Sequence, residues 1–487
     1  MKYRNPVIKG FYPDPSVCFA NGKYYLASSS FNYFPAGPLF ESDDLVNWTP
    51  IGFAFTRPEQ IMLAGTNTNG GMFAPTLRFN NGRFYLVTTN NTTHQNFYVW
   101  TDDIYGDWSD PIVVDQDGID PSLLFDDGRV YFMSNGTDDS GIGGIVQCEI
   151  DIATGRKLSE SRCIWRGSGG RFLEGPHLYK INGYYYLMAA EGGTEYGHMI
   201  TYARSESVWG PFTGYLDNPV LTNRNKAPYV IQGIGHGDLI QDKNGGWHIL
   251  CLGFRQIHPW MTYHHLGREV FLIPVRFGAD GWFTAGHDGT CDEYYDIEGD
   301  FDQNEKRVFT FENTLWNIDW QYLRTPDPDN YIFGKDSITL KGTDTTLDTM
   351  ESPTFICMHQ RDFNFNMKVR VLADGGEAGI SLYYCESEHY DIAVRQTENG
   401  FEAVLRLNIG GLKHEQTKAY LGGGAVNISI AADNCGYVFM VNGFMIGSAE
   451  SKYLSSEVCG GFTGTVIGLY AIGNNTAEFT DLEIKYE

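Results

Sequence analysis

The sequence is poor in basic residues, in long apolar runs and in paired cysteines. Its 487 residues include 35 Lys and Arg against 60 Asp and Glu, a formal net charge of −25. Nucleic acids and anionic membranes are bound by basic surfaces, so we expect neither as a partner. No apolar run in the sequence reaches the ~18 residues that a membrane-spanning helix needs.

The cysteines give no sign of a disulfide framework. There are nine of them, scattered along the chain, and none forms a Cys-x-x-Cys pair. An odd number without such spacing argues against a structural zinc site as well, so we predict reduced thiols. The opening segment Met1-Lys-Tyr-Arg-Asn-Pro lacks the apolar core of a signal peptide. This predicts a cytoplasmic protein, or a periplasmic or secreted one if an export signal has been removed.

What the chain has in abundance is a repeated strand pair. An apolar strand, a glycine turn and an aromatic strand follow one another in Asp14-Pro-Ser-Val-Cys-Phe-Ala-Asn-Gly-Lys-Tyr-Tyr-Leu. The pattern returns from Ala74, Asp120, Glu174 and His236, at intervals of 46–62 residues. A period of this size, built from strands and turns, is typical of propeller blades. We predict a five-bladed β-propeller over residues 1–300; ordinary hairpins in another all-β fold are the alternative.

The composition changes after Trp282, where the repeat stops. An acidic stretch covers residues 288–305, and alternating strands such as Phe365-Asn-Met-Lys-Val-Arg-Val-Leu follow it. Many short strands without a helical pattern predict a β-sandwich over residues 301–487. The expected fold is therefore all-β, with a propeller followed by a C-terminal sandwich.

The repeat also predicts the position of a catalytic site. Equivalent positions of propeller blades converge near the central axis, and Asp14, Asp120 and Glu174 are three carboxyl groups that lead their repeats. Crowding and burial separate the pKa values of such groups, which is what the acid and base of glycosidic hydrolysis need. The alternative for either aspartate is a turn cap before proline, and for His236 a hydrogen-bonded core residue.

Other side chains near the repeats are of types that bind sugars. Phe31 and Phe73 lie beside the first two repeats and offer apolar faces, although they equally suit the gaps between blades. Arg268 follows the fifth repeat and would neutralise acids or donate to hydroxyls. A surface ion pair is the alternative for Arg268.

Three segments carry a family resemblance. They are Asn5-Pro-Val-Ile-Lys-Gly-Phe-Tyr-Pro-Asp-Pro-Ser, Gly118-Ile-Asp-Pro-Ser-Leu and Leu173-Glu-Gly-Pro-His-Leu-Tyr-Lys. In this order they resemble motifs of glycoside hydrolase family 43, in particular its two-domain β-xylosidases and α-L-arabinofuranosidases. The resemblance implies that Asp14 is the general base and Glu174 the general acid. It also implies that Asp120 tunes the pKa of the acid and orients it, and that the sandwich is concanavalin-like.

Further segments extend the resemblance to substrate-binding residues. It implies that Thr194 and Arg268 lie at the sugar, that His236 lies beneath the site, and that Phe31 and Phe73 form apolar walls. Phe73 stands where relatives often have Trp. Cys459-Gly-Gly-Phe-Thr-Gly resembles a sandwich loop whose Phe, here Phe462, reaches into the pocket, although relatives carry two Phe there.

The expected activity follows from this resemblance. We predict an inverting exo-glycosidase that releases a terminal β-1,4-linked xylose, an α-L-arabinofuranose or both from xylo- or arabino-oligosaccharides of plant cell walls. An arabinofuranosidase or arabinan-active enzyme without xylosidase activity and a non-catalytic carbohydrate-binding propeller are the alternatives. No cofactor is required. A structural calcium near His236 and a homo-oligomer stay open, and the sandwich is expected to form one wall of the pocket.

Overall fold

The computed structural model describes residues 2–257, 261–298 and 303–487, and almost all of its regular structure is β-strand. The first part of the chain forms β1 (Lys2–Arg4), β2 (Ser16–Ala20), β3 (Lys23–Ala27), β4 (Tyr33–Phe34), β5 (Ala36–Ser42), β6 (Thr49–Phe55), β7 (Thr76–Asn80), β8 (Arg83–Asn90), β9 (Gln95–Thr101), β10 (Ile112–Val114), β11 (Ile119–Asp126), β12 (Arg129–Thr137), β13 (Gly143–Glu149), β14 (Arg162–Trp165), β15 (Glu174–Ile181), β16 (Tyr184–Glu191), β17 (Met199–Ser205), β18 (Thr213–Gly214), β19 (Ile231–Gln241), β20 (Trp247–Arg255), β21 (Glu269–Phe277), β22 (Phe283–Ala285) and β23 (Tyr294–Asp296).

The second part of the chain is also mostly β-strand. It forms β24 (Val308–Thr310), β25 (Gln321–Leu323), β26 (Tyr331–Phe333), β27 (Ser337–Lys341), β28 (Phe355–His359), β29 (Phe365–Ala373), β30 (Glu377–Cys385), β31 (Glu388–Thr397), β32 (Gly400–Ile409), β33 (Leu412–Leu421), β34 (Ala425–Ala432), β35 (Gly436–Val441), β36 (Phe444–Glu450), β37 (Val466–Ile472) and β38 (Thr476–Tyr486). The helical segments are the 3₁₀ turns Pro58–Gln60, Pro328–Asn330 and Ser451–Leu454 and the α-helix α1 (Ser456–Cys459). Within the described ranges no helix has the length and apolar character to cross a membrane.

Five four-stranded antiparallel sheets follow one another along the chain and form the predicted propeller. They are β2-β3-β5-β6, β7 to β10, β11 to β14, β15 to β18, and β19 to β22. Each sheet begins with a copy of the sequence repeat, so the prediction of five blades is confirmed. The ends are joined where β1 pairs with β23. The predicted domain boundary between residues 300 and 301 lies outside the described residues.

The innermost strands begin with an unusual backbone conformation. Asp14, Asp120 and His236 have φ values of 55°, 54° and 43°, in the left-handed region that Asp and His enter more readily than most side chains. In the fourth blade this conformation belongs to Gly175, with φ 58°. β-Bulges interrupt the register at the same point in β11, β15 and β19. A bulge redirects a side chain locally, and here it turns the first residues of the repeats away from the regular sheet alternation.

One detail of the repeat alignment is wrong. Glu174 was placed at the position of Asp14 and Asp120, but Gly175 is the residue that precedes proline and has the left-handed backbone there. Glu174 therefore lies one residue earlier in the repeat. This copy has one more residue before its proline than the copies that begin with Asp14 and Asp120. An alignment on the leading acids therefore shifts it by one position.

A buried polar cluster fills the propeller below these positions. Asp238 of the fifth blade accepts hydrogen bonds from Ser16 of the first blade at 2.6 Å and from Arg78 of the second at 2.7 Å. Arg78 Nη2 also lies 2.9 Å from Nδ1 of His177 in the fourth blade. Contacts between four blades require these side chains to meet near the axis. The guanidinium compensates a carboxylate that would otherwise be buried without a counter-charge.

Residues 308–486 form the predicted β-sandwich, with one strand from the propeller. One sheet has the order β26-β27-β38-β29-β34-β35-β36, with β24 also on β38. The other has the order β33-β32-β31-β30-β37-β28-β25-β4. The edge strand β4 comes from the first blade, where Tyr33 and Phe34 pair with Leu323 and Tyr322. The two parts of the chain therefore share a sheet.

A mixed apolar core reinforces this connection. Phe11, Phe31 and Tyr33 of the propeller are buried in one cluster with Phe355 and Tyr383 of the sandwich. The ring of Phe11 lies 5.6 Å from that of Phe31. Burial of large aromatic side chains contributes strongly to stability, so we expect the propeller and the sandwich to unfold together.

The shared core can be tested with Phe11→Ala. Phe11 is 1% exposed, and truncation of a buried Phe typically costs about 3–5 kcal/mol. We expect a clearly lower midpoint of a single thermal unfolding transition in calorimetry. Phe19→Ala, at a position 44% exposed in the same blade, is the matched control and should change the midpoint little. An unaltered midpoint for Phe11→Ala, or two separate transitions in the wild type, would contradict a shared core.

Candidate active site

A cavity of about 300 Å³ opens at the end of the propeller where the inner strands begin. Every side chain predicted to act at the site lines it: Asp14, Phe31, Phe73, Asp120, Glu174, Thr194, His236, Arg268 and Phe462. Phe462 comes from the sandwich and the others come from the propeller. Residues up to 448 positions apart in the sequence therefore meet around one space.

Asp14 is buried among groups that favour its ionised form. Ser29 Oγ donates a hydrogen bond to Asp14 Oδ2 at 2.5 Å, and Arg268 Nη1 donates to Oδ1 at 3.2 Å. His236 Nδ1 lies 3.6 Å from Oδ1. Burial alone would raise the pKa of Asp14, but Arg268, His236 and Ser29 together hold it below its ordinary value. Asp14 is therefore a carboxylate at neutral pH.

Asp120 and Glu174 are shifted in the opposite direction. Burial raises the pKa of Glu174 to about 7, and the negative charge of Asp14 adds to this while Arg268 opposes it. Burial, Glu174 and Asp14 raise the pKa of Asp120 well above its ordinary value, against Arg268 and the Gly175 N–H. Burial and the charge of Asp14 disfavour further negative charge at both positions, so Asp120 and Glu174 retain a proton near neutral pH. The cavity thus holds an ionised carboxylate together with a protonated carboxyl.

His236 separates the acids at the bottom of the cavity. Its Nδ1 lies 3.6 Å from Asp14 and 3.8 Å from Asp120, too far for a direct hydrogen bond to either. Burial lowers the pKa of His236, so the ring is neutral at pH 7. A Cβ at Gly175 would lie 2.9 Å from this ring, which explains why a glycine follows Glu174.

Arg268 links most of the cavity wall and is not the surface ion pair that we considered from the sequence. It is 4% exposed. Nη1 donates to Thr194 Oγ1 at 3.0 Å as well as to Asp14, and Nε donates to the carbonyl oxygen of Phe462 at 3.1 Å. Nη2 has no hydrogen-bond partner in the described part of the chain. An unpaired buried N–H is costly, so this group is suited to a ligand oxygen.

Aromatic rings form the apolar side of the cavity. The rings of Phe31 and Phe73 lie 5.3 Å apart, and the guanidinium of Arg268 lies 5.3 Å from the ring of Phe31. Phe462 is 42% exposed, and its N–H donates to Asn69 Oδ1 at 2.9 Å. Phe31 both lines the cavity and packs in the shared core, so the two alternatives raised from the sequence hold for it together.

Several cavity residues were missed by sequence reasoning. They are Ile119, Arg171, Phe172, Gly193, Glu195 and His198, with Ala74 as the repeat position that lacks an acid. His198 is 1% exposed, its Nδ1 lies 3.1 Å from the Gly233 carbonyl oxygen, and its Nε2 has no partner within the described residues. Burial lowers the pKa of His198 to about 3, so it is neutral. His198 lies between two strands and outside the repeat, so no periodic signal marked it.

A calcium ion near His236 stays a prediction, and Asp238, two residues further along the chain, is not free to act as its ligand. Calcium takes six to eight oxygen ligands, many of them carboxylates. Asp238 already accepts hydrogen bonds from Arg78, Ser16 and Tyr179, the last at 2.5 Å. Arg78 Nη2 lies 2.9 Å from Nδ1 of His177, whose ring lies 6.2 Å from the ring of His236.

Comparison with known proteins gives the same assignment for both parts of the chain. Residues 3–283 match the family model for glycosyl hydrolases family 43, and residues 308–485 match the beta xylosidase C-terminal concanavalin A-like domain. The predicted concanavalin-like sandwich is thus confirmed.

Individual relatives span the whole chain. A non-reducing end alpha-L-arabinofuranosidase of Bacteroides ovatus is 38% identical over 98% of this chain and 92% of its own length. A xylosidase/arabinosidase of Butyrivibrio fibrisolvens is 33% identical over 99% of this chain and 98% of its own length. A solved chain described as Bacteroides ovatus xyloglucan PUL GH43B superposes with a TM-score of 0.93 at 37% identity, with 100% of both chains covered. The protein belongs to glycoside hydrolase family 43.

Proposed function

We propose that the protein is an inverting exo-glycosidase that releases a terminal pentose, β-1,4-linked xylose or α-L-arabinofuranose, from xylo- or arabino-oligosaccharides. The observation that carries the proposal is the separation of carboxyl pKa values within one small cavity. Asp14 is held ionised by Arg268, while Glu174 and Asp120 keep a proton. A base and an acid that coexist at one pH are what hydrolysis of a glycosidic bond requires.

The reaction follows from these protonation states. Asp14 takes a proton from a water molecule as the water oxygen attacks the anomeric carbon. The bond from that carbon to the leaving oxygen breaks on the opposite face, and Glu174 gives its proton to the leaving oxygen. The new C–O bond has the inverted configuration. This role assignment predicts a distance of about 6.5–9.5 Å between the carboxyls of Asp14 and Glu174 in the sugar complex, with room for one water.

Asp120 acts through Glu174 in this scheme. The N–H of Gly175, the residue after Glu174, donates to Asp120, and the charge of Glu174 raises the pKa of Asp120. When Glu174 gives up its proton, the two carboxyls would repel each other, so reprotonation of the pair is favoured before the next cycle. Asp120 is therefore a positioning and pKa-tuning residue.

The shape of the site supports cleavage at chain ends. The cavity has a volume of about 300 Å³, at the lower end of the range for ligand pockets, and Phe462 of the sandwich closes one side. Arg268 Nη2 and the Thr194 hydroxyl are placed to contact sugar hydroxyls. The names of the two relatives described above include both arabinofuranose and xylose activities, and an arabinofuranosidase without xylosidase activity is the second candidate because of the 38% identity to the first relative.

A substrate panel tests the proposal. We expect release of monomeric pentose from aryl β-xylosides or aryl α-L-arabinofuranosides and from xylobiose or arabinosyl oligosaccharides, measured by chromatography. Debranched arabinan should yield no internal cleavage products because the cavity accepts one chain end. Accumulation of oligosaccharides from debranched arabinan would refute the exo assignment. Binding without hydrolysis of any of these substrates would instead identify a carbohydrate-binding propeller.

Glu174→Gln tests whether Glu174 is the general acid, and Asp14→Asn tests whether Asp14 is the general base. The variant keeps the shape of the side chain but has no proton to give, so activity on xylobiose should fall by about 10²–10⁴. Activity on an aryl pentoside with a strongly acidic phenol should fall much less, because that leaving group needs no protonation. Asp14→Asn, the matched variant, should lose activity on both substrates. Equal losses for Glu174→Gln on the two substrates would remove Glu174 from the acid role.

The pH profile tests the protonation states. Because Glu174 must be protonated and its pKa is raised to about 7, kcat/KM should fall as the pH rises through about 7. Because the pKa of Asp14 is lowered, the acidic limb should lie below the ordinary range for a carboxyl. With the activated aryl substrate, Glu174→Gln should lose the basic limb and keep the acidic one. A basic limb that persists unchanged in this variant would show that another group controls it.

A further inference from the structure

A second cluster of reactive side chains lies in the sandwich, away from the acids. Cys385 ends β30, Glu388 begins β31 and Cys459 ends α1. The two sulfur atoms and a Glu388 carboxylate oxygen all lie within 4.8 Å of one another. Cys385 and Cys459 are partly exposed, so small ions reach the cluster from solvent. The sequence spacing of 71 residues between Glu388 and Cys459 explains why no metal motif was visible.

Glu388 is the observation that points to a cation. Its side chain is buried, at 4% exposure. Oε1 accepts a hydrogen bond from the Gly410 N–H at 3.0 Å, and Oε2 accepts from the Ser387 hydroxyl and lies 2.6 Å from Cys385 Sγ. Its hydrogen-bond partners within the described ranges are a thiol, a hydroxyl and a backbone N–H, and none of them is a Lys, Arg or His side chain. Buried carboxylates are normally paired with a cation or bound to a metal, and here the contacting groups are uncharged donors, with two cysteine sulfurs within 4.8 Å.

The donor set selects the class of ion. Thiolates favour zinc and other thiophilic metals over calcium or magnesium. Zinc bound to two thiolates and one carboxylate would space the ligand atoms about 3.6–3.8 Å apart, with water as the fourth ligand. The three atoms reach that spacing from their present positions with movements of about 1 Å.

We propose that Cys385, Glu388 and Cys459 form a binding site for a thiophilic divalent cation of the Zn²⁺ class. The site joins the β30–β31 hairpin of the sandwich to the segment that enters the cavity. Phe462 follows Cys459 by three residues, and its backbone holds Asn69 and Arg268. A metal at this place therefore anchors the base of the loop that carries Phe462.

The test uses the full chain and Zn²⁺ alone. Protein reduced with a phosphine and freed of metal by a chelator is titrated with zinc sulfate by calorimetry, and Co²⁺ is added separately to look for a thiolate-to-cobalt charge-transfer band. We expect one zinc per chain, the cobalt band and a higher midpoint of thermal unfolding with zinc. Cys459→Ser should weaken binding by more than the roughly 10–100-fold that loss of an outer-shell partner costs. Glu388→Gln should weaken it without removing a thiol.

Cys163→Ser is the matched control, because Cys163 is a partly exposed cysteine of the propeller whose sulfur lies 3.7 Å from the carbonyl oxygens of Gly143 and Trp165. It should bind zinc as the wild type does. The proposal is overturned if reduced wild type binds no zinc, if zinc leaves its unfolding midpoint unchanged, or if Cys459→Ser binds as tightly as Cys163→Ser. It is also overturned if thiol titration of unfolded protein without reductant gives two fewer than the nine thiols, since the pair would then be a disulfide.

Discussion

The buried contact between Arg268 and Asp14 is the interaction on which the site depends. Burial would otherwise protonate Asp14, as it protonates its neighbours, and three neutral acids would offer no base. Arg268 Nη1 contacts Asp14 at 3.2 Å, and the pKa of Asp14 is lowered, whereas at Asp120 and Glu174 burial and neighbouring carboxylates outweigh the same positive charge. One arginine therefore divides three similar carboxyls into a base and a protonated pair.

The same arginine couples the chemistry to the assembly of the two domains. Its Nε donates to the carbonyl oxygen of Phe462, which belongs to a loop of the sandwich. The position of the guanidinium thus depends on a segment far outside the propeller. This gives a physical reason for a two-domain chain in which the sandwich supplies few cavity side chains: it fixes the arginine that sets the charges.

The sequence allowed the fold to be predicted because it is periodic, and the same period brings Asp14 and Asp120 to one cavity. A proline near the start of an inner strand marks four of the five repeats, and the left-handed backbone of Asp14 and Asp120 lies directly before it. Glu174 was assigned one position out of register because its copy carries an extra residue before the proline. The roles of the individual side chains rest on geometry and pKa direction, which no spacing along the chain encodes.

Most of the features that were not predicted lie outside the repeated strand pairs. His198 follows β16 in a connecting segment, and β4 is a strand of two residues that becomes visible only through its pairing with β25. Arg78 lies within a repeat, but its role requires knowledge that Asp238 and His177 face it from other blades. Such contacts depend on how the blades are arranged around the axis. The sequence of one strand pair does not show which residues of other blades it contacts.

Two glycines show how closely the domains must approach for this arrangement. Gly267 precedes Arg268 and has φ +82°, and a Cβ on it would lie 2.7 Å from the ring of Phe11 and 2.9 Å from Gly464 Cα. A Cβ on Gly464 would lie 2.4 Å from the carbonyl oxygen of Leu266. Side chains at either position would force the sandwich loop away from the propeller. Backbone-to-backbone contact therefore sets the distance between Phe462 and Arg268, and through Arg268 the ionisation of Asp14. The packing of the two domains and the acid–base chemistry are in this sense one constraint.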